Sequence, residues 1–205
     1  MKLQINGNKI FAPLKNKELV LTPEERVRQE YICRLVNVYG YSLGQMAQEV
    51  QVSNSHRGQG KARADIVIWK SESDKKEEAS AAIVIECKAE YVTIQEEDYY
   101  QGFNYAAWAG ADFFVTTNLK ETRIFKVVKG KIPKRLEEIV DIPKAEDLTN
   151  VKKVKELLSQ TKAFTREEFR KVLTKCHNII RNNDKLSPDC LLYTSPSPRD
   201  LSTSR

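Results

Sequence analysis

The sequence predicts an α/β domain, a mixed β-sheet flanked by helices, with a helical appendage at its C-terminal end. Three observations lead there. A long amphipathic segment, "LTPEERVRQEYICRLVNVYG", carries helix signals at both ends. It is followed by β-favouring runs interrupted by one helical stretch, in the order strand–strand–strand–helix–strand, which implies a mixed sheet. From Pro143 onward the strand patterns stop and two amphipathic helical patterns take over.

Composition sets the outer bounds. The 205 residues are enough for one ordinary domain and an addition, and 40% hydrophobic with 30% charged residues suits a soluble protein with a real core. No apolar run approaches membrane-spanning length and the first residues form no signal peptide, so a cytoplasmic protein is expected. A net charge of +6 leans mildly toward a polyanionic partner. Cys33, Cys87, Cys176 and Cys190 are scattered with no C-x-x-C pair, and the histidines are His56 and His177 alone. A zinc site or a disulfide framework is not expected from that set.

In chain order, "LQINGNKIFAP" reads as a hairpin around Asn6-Gly7. The first helix takes Thr22 as N-cap, Pro23 as first residue, Glu25 as capping-box acid and Gly40 as its stop, with Val27, Tyr31, Leu35 and Val38 on one stripe. Glu30 lies at the border of that stripe, about 60° from its centre at roughly 100° per residue. "QEVQVS" is a short strand, "SNSHRGQGKAR" a solvated loop whose Arg57, Lys61 and Arg63 could also touch a DNA backbone, and "ARADIVIW" the next strand. "KSESDKKEEAS" is a solvated turn, "AAIVIECK" a strand, "QEEDYYQGFNYAAWAG" a helix closed by Gly110, and "ADFFVTTN" a buried strand. "ETRIFKVVKGK" completes the sheet as an edge guarded by lysines, and Trp69 and Trp108 are expected in the core. The domain so defined spans residues 1–145. Residues 146–188 hold the two further helices, the second capped by Thr165 with Phe169, Val172, Leu173, Cys176 and Ile180 seeking a partner surface. Residues 189–205, Asp189 followed by "CLLYTSPSPRDLSTSR", are expected to be a disordered tail resembling translated cloning sequence.

The strand "IVIECKAE" raises the functional question. Glu86 and Lys88 interrupt an apolar run and point to one face, since side chains two apart on a strand do. Either the strand ends there and both emerge into water, or they belong to a site. Asp65 interrupts "ARADIVIW" in the same way. Two carboxylates on neighbouring buried strands repel and cost several kcal/mol each to desolvate, unless a cation lies between them. Hard oxygen ligands without Cys or His favour Mg²⁺, with Mn²⁺ as a substitute. Lys88 beside such a metal could steer or help deprotonate a water, or stabilise charge on a phosphate.

At this point the residues resemble a known family. "ADIVIW…IVIECKAE" looks like the PD-(D/E)xK nuclease core, with Asp65, Glu86 and Lys88 at its three motif positions and Ala64 in place of the proline. Glu30 in "RVRQEY" is similar to the helix acid of these nucleases, and Gln101 and Tyr105 in "QGFNY" to a QxxxY motif. The run from Leu21 to Pro143 resembles the N-terminal nuclease domain of type I restriction enzyme R subunits. The resemblance implies a restriction-endonuclease-like fold and Mg²⁺-dependent hydrolysis of double-stranded DNA. It further implies Asp65, Glu86 and the Cys87 carbonyl as metal ligands, Lys88 as catalytic lysine, Glu30 as a further ligand or water-positioner, and Gln101 and Tyr105 as orienting or DNA-contacting groups. "FTREEFRKVLTKCHNIIRNNDKLSP" resembles the start of the helical region preceding an N-6 adenine DNA methyltransferase domain, which implies a truncated fusion and methyltransferase and specificity modules as partners. A catalytically silent DNA-binding or assembly module on the same fold, or a junction or repair nuclease, are the alternatives.

Overall fold

The computed structural model describes residues 1–51, 63–128, 136–160 and 173–179. The N-terminal hairpin forms from β1 (Ile5–Asn6) and β2 (Lys9–Ala12), with Gly7 at φ 58 in the two-residue loop, a left-handed angle that glycine takes without a Cβ clash. A third strand, β3 (Lys17–Val20), extends the hairpin into an antiparallel meander. Its side chains are mostly exposed, so it carries no apolar alternation that the sequence could have betrayed. The first helix, α1 (Pro23–Asn37), is capped as expected: Thr22 Oγ1 accepts the Glu25 N–H at 3.1 Å. Glu25 does not complete a capping box, because its carboxylate is engaged further along the helix.

The main sheet holds β4 (Met46–Gln51), β5 (Arg63–Ile68), β6 (Ile83–Cys87), β7 (Phe113–Thr117), β8 (Thr122–Lys126) and β9 (Glu137–Glu138), paired in that order. Only β6 and β7 run parallel, and the crossover they require is made by helix α3 (Glu96–Trp108) after the short helix α2 (Glu72–Lys76) that precedes β6. This is the mixed α/β sheet that the sequence predicted, consistent with a restriction-endonuclease-like architecture. Helix α1 covers one face with Val27, Tyr31, Ile32 and Leu35 against Ile66, Ile83, Ile85 and Val115. Helix α3 covers the other with Phe103 and Ala106 against Val84 and Phe114. Burial on both faces is why β5 to β7 read as nearly continuous apolar runs.

Several expectations need correction. The "KSESDKK" stretch is not a bare turn but contains α2, capped by the Ser71 hydroxyl, which accepts the Asp74 N–H. Strand β8 is not the edge, because β9 pairs outside it through Phe125↔Glu138 and Lys126↔Glu137. A two-residue strand made of two glutamates leaves no apolar pattern to read. Trp108 is 45% exposed and packs on Tyr105 rather than in the core, at the last residue of α3.

Helix α4 (Val151–Ser159) follows, N-capped by Asn150, and Leu148, Val154, Leu157 and Leu158 join the core on the α1 side. The chain divides into two compact units, Met1–Lys162 and Ala163–Arg205, so the first runs past residue 145. In the second, residues 173–179 are helical, with Leu173 47% exposed. The expected loop at 53–62 with His56, the lysines from Lys129 to Lys134, the cap at Thr165, Phe169, Val172, Ile180 and the tail 189–205 lie outside the described residues. Among the described residues no helix is long and apolar enough to cross a membrane.

Candidate functional site

The site begins where β5 and β6 part. Their ladder runs Ile68↔Ile83, Val67↔Val84 and Ile66↔Ile85, and the next residues in register are Asp65 and Glu86. There the ladder stops and a side chain replaces it: Asp65 Oδ2 accepts the Cys87 N–H at 2.7 Å. Strand β6 stays attached to β7 through Cys87↔Thr117, and the Lys88 N–H continues the pairing to Thr117 O at 2.9 Å. The acid of one strand thus orients the backbone that carries the acid and lysine of the next.

On the α1 side Asp65 is thoroughly partnered. Its Oδ1 accepts from Arg28 Nη2 at 2.5 Å, and both residues are buried. Arg28 also donates to Glu25 and lies 3.8 Å from Glu49. Glu25 accepts in addition from Gln29 at 2.6 Å, Gln29 donates to Gln48 at 3.0 Å, and Glu49 pairs with Lys15 of the β2–β3 turn. Gln48 and Glu49 are consecutive on β4, yet both reach residues of α1. Glu49 has φ 53, a left-handed angle uncommon in a strand, and this departs from the usual alternation of faces.

On the α3 side Glu86 is only half partnered. Its Oε1 is buried without a hydrogen-bond partner. Burial first, then the charge of Asp65 and a hydrogen bond to it, push its pKa well above the ordinary 4.5, although Lys88 and Arg28 pull the other way. Helix α3 lies directly over this carboxylate because Gly102 has no side chain: a Cβ there would strike the Phe114 ring and lie 2.9 Å from Glu86 Cγ. The start of the same helix holds the lysine. Asp98 pairs with Lys88 at 3.0 Å while accepting the Gln95 N–H, also at 3.0 Å. Burial opposes the charge on Lys88, but the bond and charge of Asp98, with Glu86, leave its pKa above the ordinary value.

The structure brings Asp65, Glu86 and Lys88 together around the Cys87 peptide. Gln101 donates to the Tyr105 hydroxyl at 2.7 Å, a pair formed toward the exposed side of α3. Glu30, expected at the border of the apolar stripe, is exposed. The buried arc of α1 runs the other way, through Glu25, Arg28 and Gln29, and carries its polar end to Asp65. Arg28 and Gln29, with Gln48, Glu49 and Asp98, were not singled out from the sequence, and Glu25 was read there only as a capping acid. One signal was present: Glu25, Arg28, Gln29 and Ile32 stand at i, i+3, i+4 and i+7, a polar extension of the buried face.

Among the described residues no group of three or more His, Cys, Asp or Glu side chains is arranged to hold a metal. Two facing carboxyl groups with one unpartnered buried oxygen nevertheless suit a hard divalent cation, which commonly keeps several waters and takes one or two carboxylates. Beside the N terminus of α1 a cleft of ≈ 360 Å³ opens, lined by Arg26, Tyr91 and Lys120 among others.

A family model described as type I restriction enzyme R protein N terminus (HSDR_N) matches residues 23–143, more than half of the chain. No curated protein and no solved structure matches it.

Proposed function

We propose a nuclease function from one premise: the chain belongs to the family of type I restriction enzyme R protein N termini. Within that family's restriction–modification context, the reading is a metal-dependent endonuclease domain that hydrolyses phosphodiester bonds of double-stranded DNA. The observation that carries it is the buried, unpartnered Oε1 of Glu86 in a carboxyl group that lies beside Asp65, an arrangement that costs stability unless a cation is bound. The likeness of Asp65, Glu86 and Lys88 to the PD-(D/E)xK motif supports the same reading.

Asp65, Glu86 and the Cys87 carbonyl would hold Mg²⁺, or Mn²⁺ in its place. When bound, the metal polarises a phosphate oxygen and lowers the pKa of an attacking water. Lys88 is kept protonated by Asp98, which supports charge neutralisation on the scissile phosphate over a role as general base. Arg26 and Lys120, at the cleft beside α1, suit contacts to the flanking phosphate backbone, which orient DNA without reading its sequence. Gln101 and Tyr105, paired toward the exposed side of α3, suit further polar contacts to DNA. Sequence recognition would come from specificity and methyltransferase modules of a restriction–modification complex.

Nicking of supercoiled plasmid tests this reading. The parent protein is expected to nick with Mg²⁺ or Mn²⁺, to stop on addition of chelator, and to lose activity in Lys88→Ala. Equal nicking by both proteins would remove Lys88 from the chemistry.

A further inference from the structure

We propose that the Arg28 guanidinium is a resident counter-ion of the site, which competes with the divalent cation for Asp65 and sets how tightly that cation binds. The inference rests on the metal-binding reading above and adds a determinant that lies outside the ligand set.

Three observations support it. First, the charge is buried and shared. Arg28 is 7% exposed and faces Asp65, Glu25 and Glu49. Removal of Asp65 from this group would still leave two carboxylates to receive the guanidinium, one anchored by Gln29 and the other by Lys15. Second, the guanidinium is incompletely bonded, because its Nε is buried with no hydrogen-bond partner. Rotation toward Glu25 and Glu49 therefore sacrifices no Nε–H bond. Third, Arg28 is not needed to aim Asp65. The Cys87 N–H already fixes Oδ2 at 2.7 Å from the backbone of β6, so the contribution of Arg28 at Oδ1 is chiefly its charge.

A full positive charge bonded to one ligand oxygen opposes a divalent ion on the same carboxylate through buried, weakly screened space. Without the metal, the same charge balances Asp65 and keeps the cluster of acids from repelling itself apart. Arg28 thus exchanges some cation affinity for stability of the metal-free protein. When the cation arrives, the guanidinium yields Oδ1 and leans on Glu25 and Glu49.

Calorimetric titration of the full chain with Mn²⁺ tests the proposal, comparing the parent, Arg28→Gln and Arg28→Lys. Arg28→Gln is expected to bind at least about tenfold more tightly, since a repelling charge is gone. Arg28→Lys keeps the charge and is expected to stay within about threefold of the parent. In chelator, Arg28→Gln should melt below the parent, and Mn²⁺ should raise its Tm by more than it raises the parent's. Equal or weaker binding by Arg28→Gln overturns the proposal while leaving the metal site itself standing. Absence of binding in every protein overturns both. Should Arg28→Gln fail to fold, NMR of the parent decides: saturation with Mg²⁺ should shift the Arg28 guanidinium signals, and signals that stay unmoved as Mg²⁺ binds overturn the proposal.

Discussion

Asp65 and Glu86 face each other across the end of one strand pair, yet their surroundings are opposites. Asp65 accepts a backbone N–H on one oxygen and a guanidinium on the other, within a buried network drawn from α1 and β4. Glu86, under α3, keeps an oxygen without any partner and has its pKa driven up by burial and by Asp65. The first carboxylate is built into the fold; the second is left wanting a positive charge. Two acids on paired strands thus differ in that one has both oxygens bonded and the other keeps one free.

The largest effect should come from breaking the satisfied side. Asp65→Ala leaves the Cys87 N–H without its acceptor and takes one of three carboxylates from the buried Arg28 guanidinium, and is expected to cost about 3 kcal/mol in urea denaturation. Asp65→Asn, which retains the shape and one acceptor, should cost distinctly less. The α3 side can be disturbed through Gly102→Ala. The added methyl strikes the Phe114 ring and crowds Glu86, so a loss of about 1–3 kcal/mol should outweigh the roughly 1 kcal/mol that alanine contributes in a helix.

Glu86→Gln should act with the opposite sign. Because the folded pKa of Glu86 is raised, the native state holds an extra proton between pH 4.5 and that raised value. Stability is therefore lost as pH rises through the window. In chelator at neutral pH, Glu86→Gln is expected to melt higher than the parent, by roughly 2–4 °C for each kcal/mol recovered. The difference should shrink as pH falls toward 4.5, which thermal melts across that range would show. Melts that stay parallel at every pH would remove Glu86 as the costly residue.

Two smaller effects sharpen the picture. Asp98→Asn removes a partly exposed ion pair and should change stability by no more than about 1 kcal/mol. Its signature is kinetic: with the Lys88 pKa lowered, the alkaline limb of the nicking profile should move to lower pH. Glu30→Gln should leave both stability and nicking unchanged, within about 0.5 kcal/mol for stability, because the side chain is exposed.

What could be read from the sequence follows from these contrasts. Strands β5, β6 and β7 are buried on both faces, so each charge inside them stands out, and Asp65, Glu86 and Lys88 were visible for that reason. Arg28, Glu25 and Gln29 were hidden because a helix stripe is recognised by its apolar residues, and here the buried face continues in polar ones. The acid assigned on α1 was accordingly Glu30, while the acid that reaches the cluster is Glu25. Asp98 looked like an ordinary first-turn helix acid, a common place for one whatever its partner. Strand β9 and helix α2, composed of charged residues and one serine, owe their form to neighbours rather than to any periodicity of their own.

The central claim is that Glu86 completes a cation site with Asp65. Calorimetric titration with Mn²⁺, parent against Glu86→Gln, tests it most directly. A saturable site in the parent whose affinity falls by at least about tenfold in the variant is the predicted result, since the divalent ion loses a charged ligand. Equal affinity in the two proteins, or no binding in the parent, would contradict it.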